Sequence, residues 1–272
     1  MILMVASEKD VASINIAQQL LEHYDFEKTS EEYQGKPTYI MKVRNREIKL
    51  IFTKQDLIYT QNITEHFSPQ LIIYISRHSS ASGTPTLSVH TPGNLTEEAN
   101  YGGLPKKISV SPASAMKNAL KEMEKLKNEW NLNYKVCYEC THHGPSLNVP
   151  TMFVELGSSL PQWKDSKAAE AVAHAAMQAA TNENTYSAVL GLGGPHYNEK
   201  FTKLSLREDI AFGHMIPKHM IGRVDLEVLR QCIERTLEKV ELAVLDWKGI
   251  KGADKQPLME KLEALRISVR KV

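Results

Sequence analysis

The sequence has no apolar run that approaches the roughly 20 residues needed to cross a bilayer. Its N-terminus, MILMVASEKD, has no basic leader followed by a longer apolar stretch and a cleavage site. The three cysteines, Cys137, Cys140 and Cys232, are too few for a disulfide scaffold. We therefore expect a cytoplasmic protein whose thiols are reduced.

The chain also has almost no excess of charge, because 33 basic residues offset 32 acidic ones and leave a net charge of +1. This balance excludes a protein that coats nucleic acid through a uniformly basic surface. Any contact with RNA should be local, at Lys106 and Lys107 or along Lys200, Lys203 and Arg207, although such clusters are more often solvated surface. We expect no DNA or membrane partner, and no obligatory protein partner is evident.

Three common site motifs are missing. No Gly-Lys-Ser/Thr follows the glycines near position 193, which excludes a P-loop. The first turn from strand to helix, residues 6–10, has no glycine, which removes the dinucleotide fingerprint. The nucleophile elbow Gly-x-Ser-x-Gly is absent, so Ser79 and Ser80 are possible nucleophiles only by their position beside His78.

The composition is that of a folded protein, with 42% hydrophobic and 24% charged residues. Hydrophobic periodicity predicts strands that alternate with helices, which is typical of a three-layer α/β/α domain with a largely parallel or mixed sheet. We expect one domain over 1–272, with a possible small subdomain around the loop 77–106. The predicted strands are 1–6, 37–43, 47–53, 71–76, 134–141, 152–156, 186–192 and 242–245; the predicted helices are 10–24, 161–180, 254–265 and two that begin near 111 and 225.

Histidines are concentrated in the loop-rich segments. Three positions follow directly on predicted strands: His78, the pair His142-His143, and His196. In open α/β sheets, ligands bind at the carboxyl ends of the strands, so we expect these side chains to converge. The other histidines of the loop-rich segments are His90, His214 and His219; a lone loop histidine is more often a surface or capping residue, and we interpret His219 in that way.

Neutral imidazole suits zinc, and a catalytic zinc site needs about three protein ligands and a water molecule. Several histidines together with Glu139 or Glu155 can supply the ligands for one or two such ions. Alternation along the strand puts Glu139 on the face of Cys137, with His142 on the other face unless the strand has already ended. Glu139 is either a general base or a carboxylate hydrogen-bonded within the sheet.

Two further features have weaker meanings. Cys137 and Cys140 have the spacing of a metal knuckle, but they would point to opposite faces of a strand, so we interpret both as buried or half-buried thiols. The amides of Gly193 and Gly194 are placed to bind a phosphate or a developing oxyanion.

Seven motifs occur in a fixed order along the chain: SRHSS at 76–80, the run from His90 through Gly93-Asn94 to Tyr101-Gly102-Gly103, YECTHHGP at 138–145, FVELGS at 153–158, GLGGPHY at 191–197, DIAFGH at 209–214 and DWKG at 246–249. Together they closely resemble the archaeal and plant type of D-aminoacyl-tRNA deacylase. The resemblance spans nearly the whole chain, and Thr-His-His-Gly-Pro is its most specific part. One segment departs from the family pattern: residues 195–199 read Pro-His-Tyr-Asn-Glu instead of Gly-His-Tyr-Ala-Pro, which bears on the flexibility of that loop but keeps His196.

The resemblance implies a fold similar to the phosphorylase and peptidyl-tRNA hydrolase group, zinc dependence and broad tolerance of the D-amino acid side chain. The substrate would be the 3′ end of an aminoacyl-tRNA. We expect zinc to be held mainly by histidines of the set His78, His90, His142, His143, His196 and His214. Catalytic roles are expected for Glu139, Glu155 and His143, and substrate contacts for Arg77, Gly193, Gly194 and Lys200.

In this hypothesis the zinc site polarises the ester carbonyl and activates a water molecule, while Glu139 or Glu155 transfers its proton. One alternative is a peptidyl-tRNA hydrolase or zinc peptidase of similar fold, which acts on a different bond. Another is a noncatalytic RNA-binding protein with structural zinc, which would bind tRNA without turnover; the small net charge disfavours it.

Overall fold

The computed structural model describes all residues from 1 to 272. Two sheets and seven α-helices make up the fold, with two short 3₁₀ turns at Leu57–Tyr59 and Ile63–Glu65. None of the helices combines the length and apolar character needed to cross a membrane. The strands are β1 Ile2–Ser7, β2 Glu27–Tyr33, β3 Lys36–Val43, β4 Arg46–Thr53, β5 Leu71–Ser79, β6 Thr86–His90, β7 Lys135–Tyr138, β8 Thr151–Ser158, β9 Ser187–Leu192, β10 Ile210–Ile216, β11 Val240–Leu245 and β12 Ser268–Lys271; the helices are α1 Val11–His23, α2 Ala113–Glu129, α3 Leu160–Trp163, α4 Ser166–Thr181, α5 Glu199–Arg207, α6 Leu226–Glu234 and α7 Gly252–Ala264.

The larger sheet has the strand order β2-β3-β4-β1-β5-β8-β6-β7. Its centre is parallel, since β1 pairs with β4 and β5, and β5 pairs with β8, in that orientation. β6 runs antiparallel to β8 and parallel to β7. The mixed sheet places the ends of β5, β7 and β8 close to β6, where the histidines and carboxylates lie.

The smaller sheet is wholly parallel, in the order β10-β9-β11-β12. One face packs on α6 and α7 through Leu190, Leu245 and Leu258. The other face joins the main core through Val189 and Val244. The α/β fold class is therefore confirmed, although the strands are divided between two sheets.

The helices form where the sequence provides caps and apolar stripes. Asp10 accepts a hydrogen bond from the Ser13 amide and starts α1, and Asp165 does the same for α4 through Lys167 and Ala168. The alanine-rich stripe of α4 packs with α1 and α2 on one face of the larger sheet. The opposite face is covered by Leu57, Ile63 and Leu147, which do not belong to any α-helix.

Two long segments in which we predicted no strand or helix contain regular structure. The segment 77–106 holds the end of β5 and all of β6, and the region 193–223 holds α5 and β10. β6 alternates polar and apolar residues as a strand does, but it is only five residues long and lies within a segment rich in Ser, Thr, Gly and Pro, so we did not predict it. The strands β2 and β12 also went unpredicted. The single-domain organisation stays a prediction.

Candidate active site

The site lies along the face of the larger sheet that carries Ser76, His78 and Glu155. Because β5 and β8 are parallel, Ser76 lies opposite Glu155 and His78 lies opposite Gly157. Ser88 of β6 is in turn opposite Glu155, and His90 is opposite Phe153. Residues two apart in a strand share a face, so these side chains form one continuous polar group.

Glu139 is the centre of this group and is almost completely buried. Its Oε1 accepts a hydrogen bond from Ser88 Oγ at 2.5 Å and lies 3.1 Å from His78 Nδ1. Its Oε2 lies 3.0 Å from His196 Nε2 and 3.8 Å from His142 Nε2. Burial by itself would raise the pKa of this carboxyl, but the hydrogen bonds from His196 and His78 hold it well below its usual range. Glu139 is therefore ionised.

Glu155 is a second buried carboxylate on the same face. Ser76 Oγ donates to its Oε1 at 2.5 Å, and His78 Nδ1 lies 3.7 Å from its Oε2. Burial opposes its ionisation, but the neighbouring His78 and His90 lower its pKa below the ordinary value. His78 lies between the two carboxylates; burial opposes its charge, yet Glu139 and Glu155 raise its pKa to about 10. His78 is therefore protonated at neutral pH.

Three more histidines are grouped beside Glu139. The ring centroids of His90 and His142 are 4.2 Å apart, as are those of His142 and His143. The Nδ1 atoms of His142 and His143 lie 2.8 Å and 2.7 Å from the carbonyl oxygens of Cys140 and Gly144. These bonds fix the proton on Nδ1 and leave both Nε2 lone pairs free. Burial lowers the pKa of His143 to about 4 and that of His142 well below the ordinary value, so both rings are neutral.

The second sheet completes the site through a short backbone pairing. Glu139 forms an isolated antiparallel bridge with Tyr197, and the Cys140 amide donates to the His196 carbonyl at 2.9 Å. This pairing sets His196 beside Glu139. β7 ends at Tyr138, so the alternation that would send His142 to the opposite face has stopped, and His142 joins Glu139.

The donor atoms fit a transition metal. Three groups of ligand atoms, each within 4.8 Å of one another, are His90 with His142 and His143, Glu139 with His142 and His196, and His78 with Glu139 and Glu155. Both ring nitrogens of His90 are buried without a hydrogen-bond partner, which is costly unless another group binds there. Carbonyl acceptors on the far nitrogens of His142 and His143 are typical of ligating histidines. Neutral imidazoles of this kind suit zinc.

An open cleft of about 550 Å³ leads to these groups. Its lining includes Arg77, Asp10, Tyr59, Tyr101 and Tyr197 besides the histidines and carboxylates. Arg77 lies over the Trp163 ring, with Cζ 5.6 Å from the ring centroid. The structure thus brings Arg77, His78, His90, Glu139, His142, His143, Glu155 and His196 together.

His214 is not part of the cluster, contrary to our expectation. It lies within β10, where its Nδ1 is 3.1 Å from Thr141 Oγ1 and its Nε2 is 3.2 Å from the Arg235 carbonyl oxygen. Both nitrogens are therefore occupied by the protein. Burial lowers the pKa of His214 to about 4, as expected for a neutral core histidine.

Gly193, Gly194 and Lys200 do not line the cleft either. The Gly193 amide donates to the Ile216 carbonyl at 2.8 Å, so it is not free to bind an oxyanion. Lys200 Nζ pairs with Asp246. The substrate contacts that we expected at these three residues are not supported, because all three lie outside the cleft and Gly193 and Lys200 have partners within the protein.

Comparison with known proteins identifies the family. Residues 65–270 match a family model described as D-aminoacyl-tRNA deacylase. A D-aminoacyl-tRNA deacylase of Pyrococcus abyssi is 38% identical to this chain, and the match covers 93% of each of the two chains. A D-aminoacyl-tRNA deacylase of Methanocaldococcus jannaschii is 36% identical, and the match covers 96% of this chain and 95% of the relative. This chain belongs to the D-aminoacyl-tRNA deacylase family. A crystal structure of a conserved protein of unknown function, 31% identical, superimposes with a TM-score of 0.88 over 100% of this chain and 95% of the other.

The glycines of the family motifs have a packing role at the cleft. A Cβ atom on Gly144 would come within 2.1 Å of the Gly103 nitrogen, so the segment after His143 needs glycine to pack on the segment after Tyr101. The Gly144 amide donates to the Tyr101 carbonyl at 2.9 Å. Residues 195–199, which depart from the family pattern, lead into α5. Asn198 accepts a hydrogen bond from the Phe201 amide and caps this helix, so the loop that carries His196 ends at a helix.

Sequence reasoning missed several residues of the site. Ser76 and Ser88 lie two positions before His78 and His90, and the period of a strand would have placed each serine on the face of its histidine. Tyr197 adjoins His196 and contacts the His78 ring edge-on at 5.1 Å. Asp10 caps α1 and accepts a hydrogen bond from the Arg77 amide at 2.8 Å. Nothing in the sequence indicates that Asp10 lies at the cleft.

Proposed function

We propose that this chain hydrolyses the ester bond of D-aminoacyl-tRNA and releases a free D-amino acid and tRNA. The observation that carries the proposal is the group of His90 and the neutral His142 and His143 beside the ionised Glu139, at the cleft of a chain that belongs to this family. In ester hydrolysis by water, a bound metal ion can activate the water molecule, and a neighbouring carboxylate can accept its proton.

His90, His142 and His143 would hold a zinc ion, since their free nitrogens lie within 4.8 Å of one another. The group of Glu139, His142 and His196 offers an alternative position, because His142 has one free ring nitrogen and can ligate only one ion. Zinc, when bound, lowers the pKa of a water molecule to about 7 and polarises a carbonyl oxygen. This assignment moves His143 from the catalytic residues to the ligands.

Glu139 accepts the proton of the attacking water in this proposal. Both carboxylates are ionised, but Glu139 is the one that touches His142 and His196. Ser88 fixes the orientation of Glu139, as Ser76 fixes that of Glu155. The protonated His78 holds the two carboxylates together, because two neighbouring negative charges in a buried site would otherwise repel each other.

The 3′ end of the RNA enters the cleft in this proposal. Arg77 lies in the lining of the cleft, where its charge can meet a phosphate or a carbonyl oxygen of the substrate. The opening of about 550 Å³ has room for amino acid side chains of different sizes, which supports broad tolerance of the D-amino acid.

The decisive experiment compares D-aminoacyl-tRNA, L-aminoacyl-tRNA and N-blocked aminoacyl-tRNA carrying the same amino acid. The proposal expects amino acid release from the D-form and little from the other two. Preferred release from the N-blocked form would indicate a peptidyl-tRNA hydrolase. Binding of all three without release would indicate a noncatalytic RNA-binding protein.

A further inference from the structure

Two exposed tyrosines lie at the mouth of the cleft. Tyr59 is 52% exposed and Tyr101 is 69% exposed, although large aromatic side chains bury far more of their surface on average. Both rings belong to the lining of the cleft that contains Glu139 and His142. Exposed aromatic rings beside a catalytic group indicate contact with a ligand.

The backbone segments that carry these rings pack directly on each other. A Cβ atom on Gly102 would lie 2.0 Å from the Ile58 carbonyl oxygen and 3.2 Å from Tyr59 Cδ1. Asn94 Nδ2 donates to the Gly102 carbonyl at 2.8 Å, which anchors the segment after Tyr101.

The anchoring extends to the histidines of the site. The Tyr101 carbonyl accepts from the Gly144 amide, the residue after His143. On the other side, Thr60 Oγ1 lies 2.6 Å from the buried Tyr74 hydroxyl, which fixes the turn after Tyr59. The backbone that carries the two rings is therefore anchored relative to the site.

The charges of the cleft favour stacking of RNA bases on the tyrosine rings over binding of the RNA phosphates. Arg77 is the one lysine or arginine in the lining, while Asp10 and Asp56 add negative charge near it. A single-stranded RNA end that crosses this mouth finds few cations for its phosphates. Aromatic rings bind unpaired bases through their faces, whatever the base sequence.

We infer that Tyr59 and Tyr101 form a stacking platform for the unpaired bases at the 3′ end of the RNA. This inference rests on the proposed function, because an ester on the terminal ribose can reach Glu139 only if the preceding nucleotides lie across the mouth of the cleft. The platform binds the substrate and positions it; it does not take part in bond cleavage.

The test uses Tyr59→Ala and Tyr101→Ala in the full chain, with Tyr59→Phe and Tyr101→Phe as matched controls that keep the ring. Leu237→Ala removes an exposed apolar side chain, 62% exposed, that lies outside the cleft. Two readouts are needed: KM and kcat for D-aminoacyl-tRNA, and the anisotropy of a labelled CCA oligoribonucleotide as it binds.

We expect each alanine variant to raise KM about tenfold with kcat little changed, and to weaken binding of the oligonucleotide by a similar factor. The phenylalanine variants and Leu237→Ala should behave as the unmodified protein. Unchanged KM and oligonucleotide binding in both alanine variants would overturn the inference, and so would a change confined to the preference among D-amino acid side chains. If the proposed function alone is wrong, the protein will bind the oligonucleotide through these rings but release no amino acid.

Discussion

Gly157 of β8 lies directly against His78 of β5. A Cβ atom on Gly157 would approach to 2.6 Å from His78 Cβ and from Cδ2. The position of the imidazole between Glu139 and Glu155 therefore depends on the absence of a side chain at residue 157. Real Cβ atoms are not found so close to neighbouring carbon atoms, so even one added methyl group must displace the histidine or the strand.

Gly157→Ala should reduce both stability and activity. We expect a loss of about 1–3 kcal/mol in the free energy of unfolding, as overpacking of a buried site usually costs, and a fall in kcat because His78 moves away from Glu139. Thermal unfolding and deacylation rates measure the two effects. Gly252→Ala is the matched control, because no atom lies within 4 Å of the new methyl group. A Gly157→Ala variant with unchanged melting temperature and rate would contradict this packing argument.

Glu139→Gln should lower kcat at least a hundredfold, the usual effect of losing a positioned proton acceptor. The amide keeps the shape of the side chain but loses the negative charge that pairs with His78 and His196. Single-turnover deacylation and zinc content measure the change. Glu170→Gln is the control, since Glu170 pairs with Lys167 on α4 and lies outside the cleft. If Glu155→Gln is the more damaging variant, Glu155 is the proton acceptor instead.

Removal of zinc with a chelator should abolish deacylation, and addition of zinc should restore it. His142→Ala and His143→Ala should bind less zinc than the unmodified protein, whereas His66→Ala, an exposed histidine outside the cleft, should bind the same amount. Elemental analysis and activity assays provide the measurements. Full activity in metal-free protein would eliminate zinc from the mechanism.

The neutral His214 should make the fold sensitive to acid. Its pKa is lowered to about 4 by burial, whereas a histidine in an unfolded chain titrates near 6.5. Between these values the unfolded chain binds a proton that the folded protein does not, so stability falls as the pH drops from about 6.5 to about 4. The full contribution is on the order of 3 kcal/mol.

His214→Gln removes this titration and should flatten that part of the stability curve. Urea unfolding between pH 4 and 8 measures the slope for both proteins. His23→Gln serves as a control, because its side chain is 35% exposed and lies outside the catalytic cleft. Equal slopes for the unmodified and His214→Gln proteins would show that the pKa of His214 is the same in the folded protein as in the unfolded chain.

Much of the fold was predictable because its periodic elements are local. The stripe of α1, the hairpin of β3 and β4, and the alanine-rich α4 were all predicted, since spacing and capping residues indicate them directly. The division into two sheets was not predictable, because strand partners depend on contacts far apart in the chain. β6 does alternate polar and apolar residues, but a run of five residues inside a loop-rich segment is too short to indicate a strand and its bounds.

The site was predictable in residue type more than in role. His78, His142, His143 and His196 were selected by their positions after strands, and they do meet. His214 shows the limit of that argument. Like the other four, it is a histidine in a segment that we interpreted as loop-rich, but it lies in β10 and is buried against Thr141 and the Arg235 carbonyl. The roles of Ser76 and Ser88 depend on which strand lies beside which, and no local pattern contains that information.

The bridge between Glu139 and Tyr197 also has a consequence for the order in which the protein matures. During synthesis the N-terminal part leaves the ribosome first, so β5, β6 and β8 can pair before β9 and β10 exist. At that stage Glu139 has no His196 beside it. The charged group is complete only when the second sheet docks, so a nascent chain that has not reached residue 216 contains Glu139, His142 and His143 without His196 in place beside them.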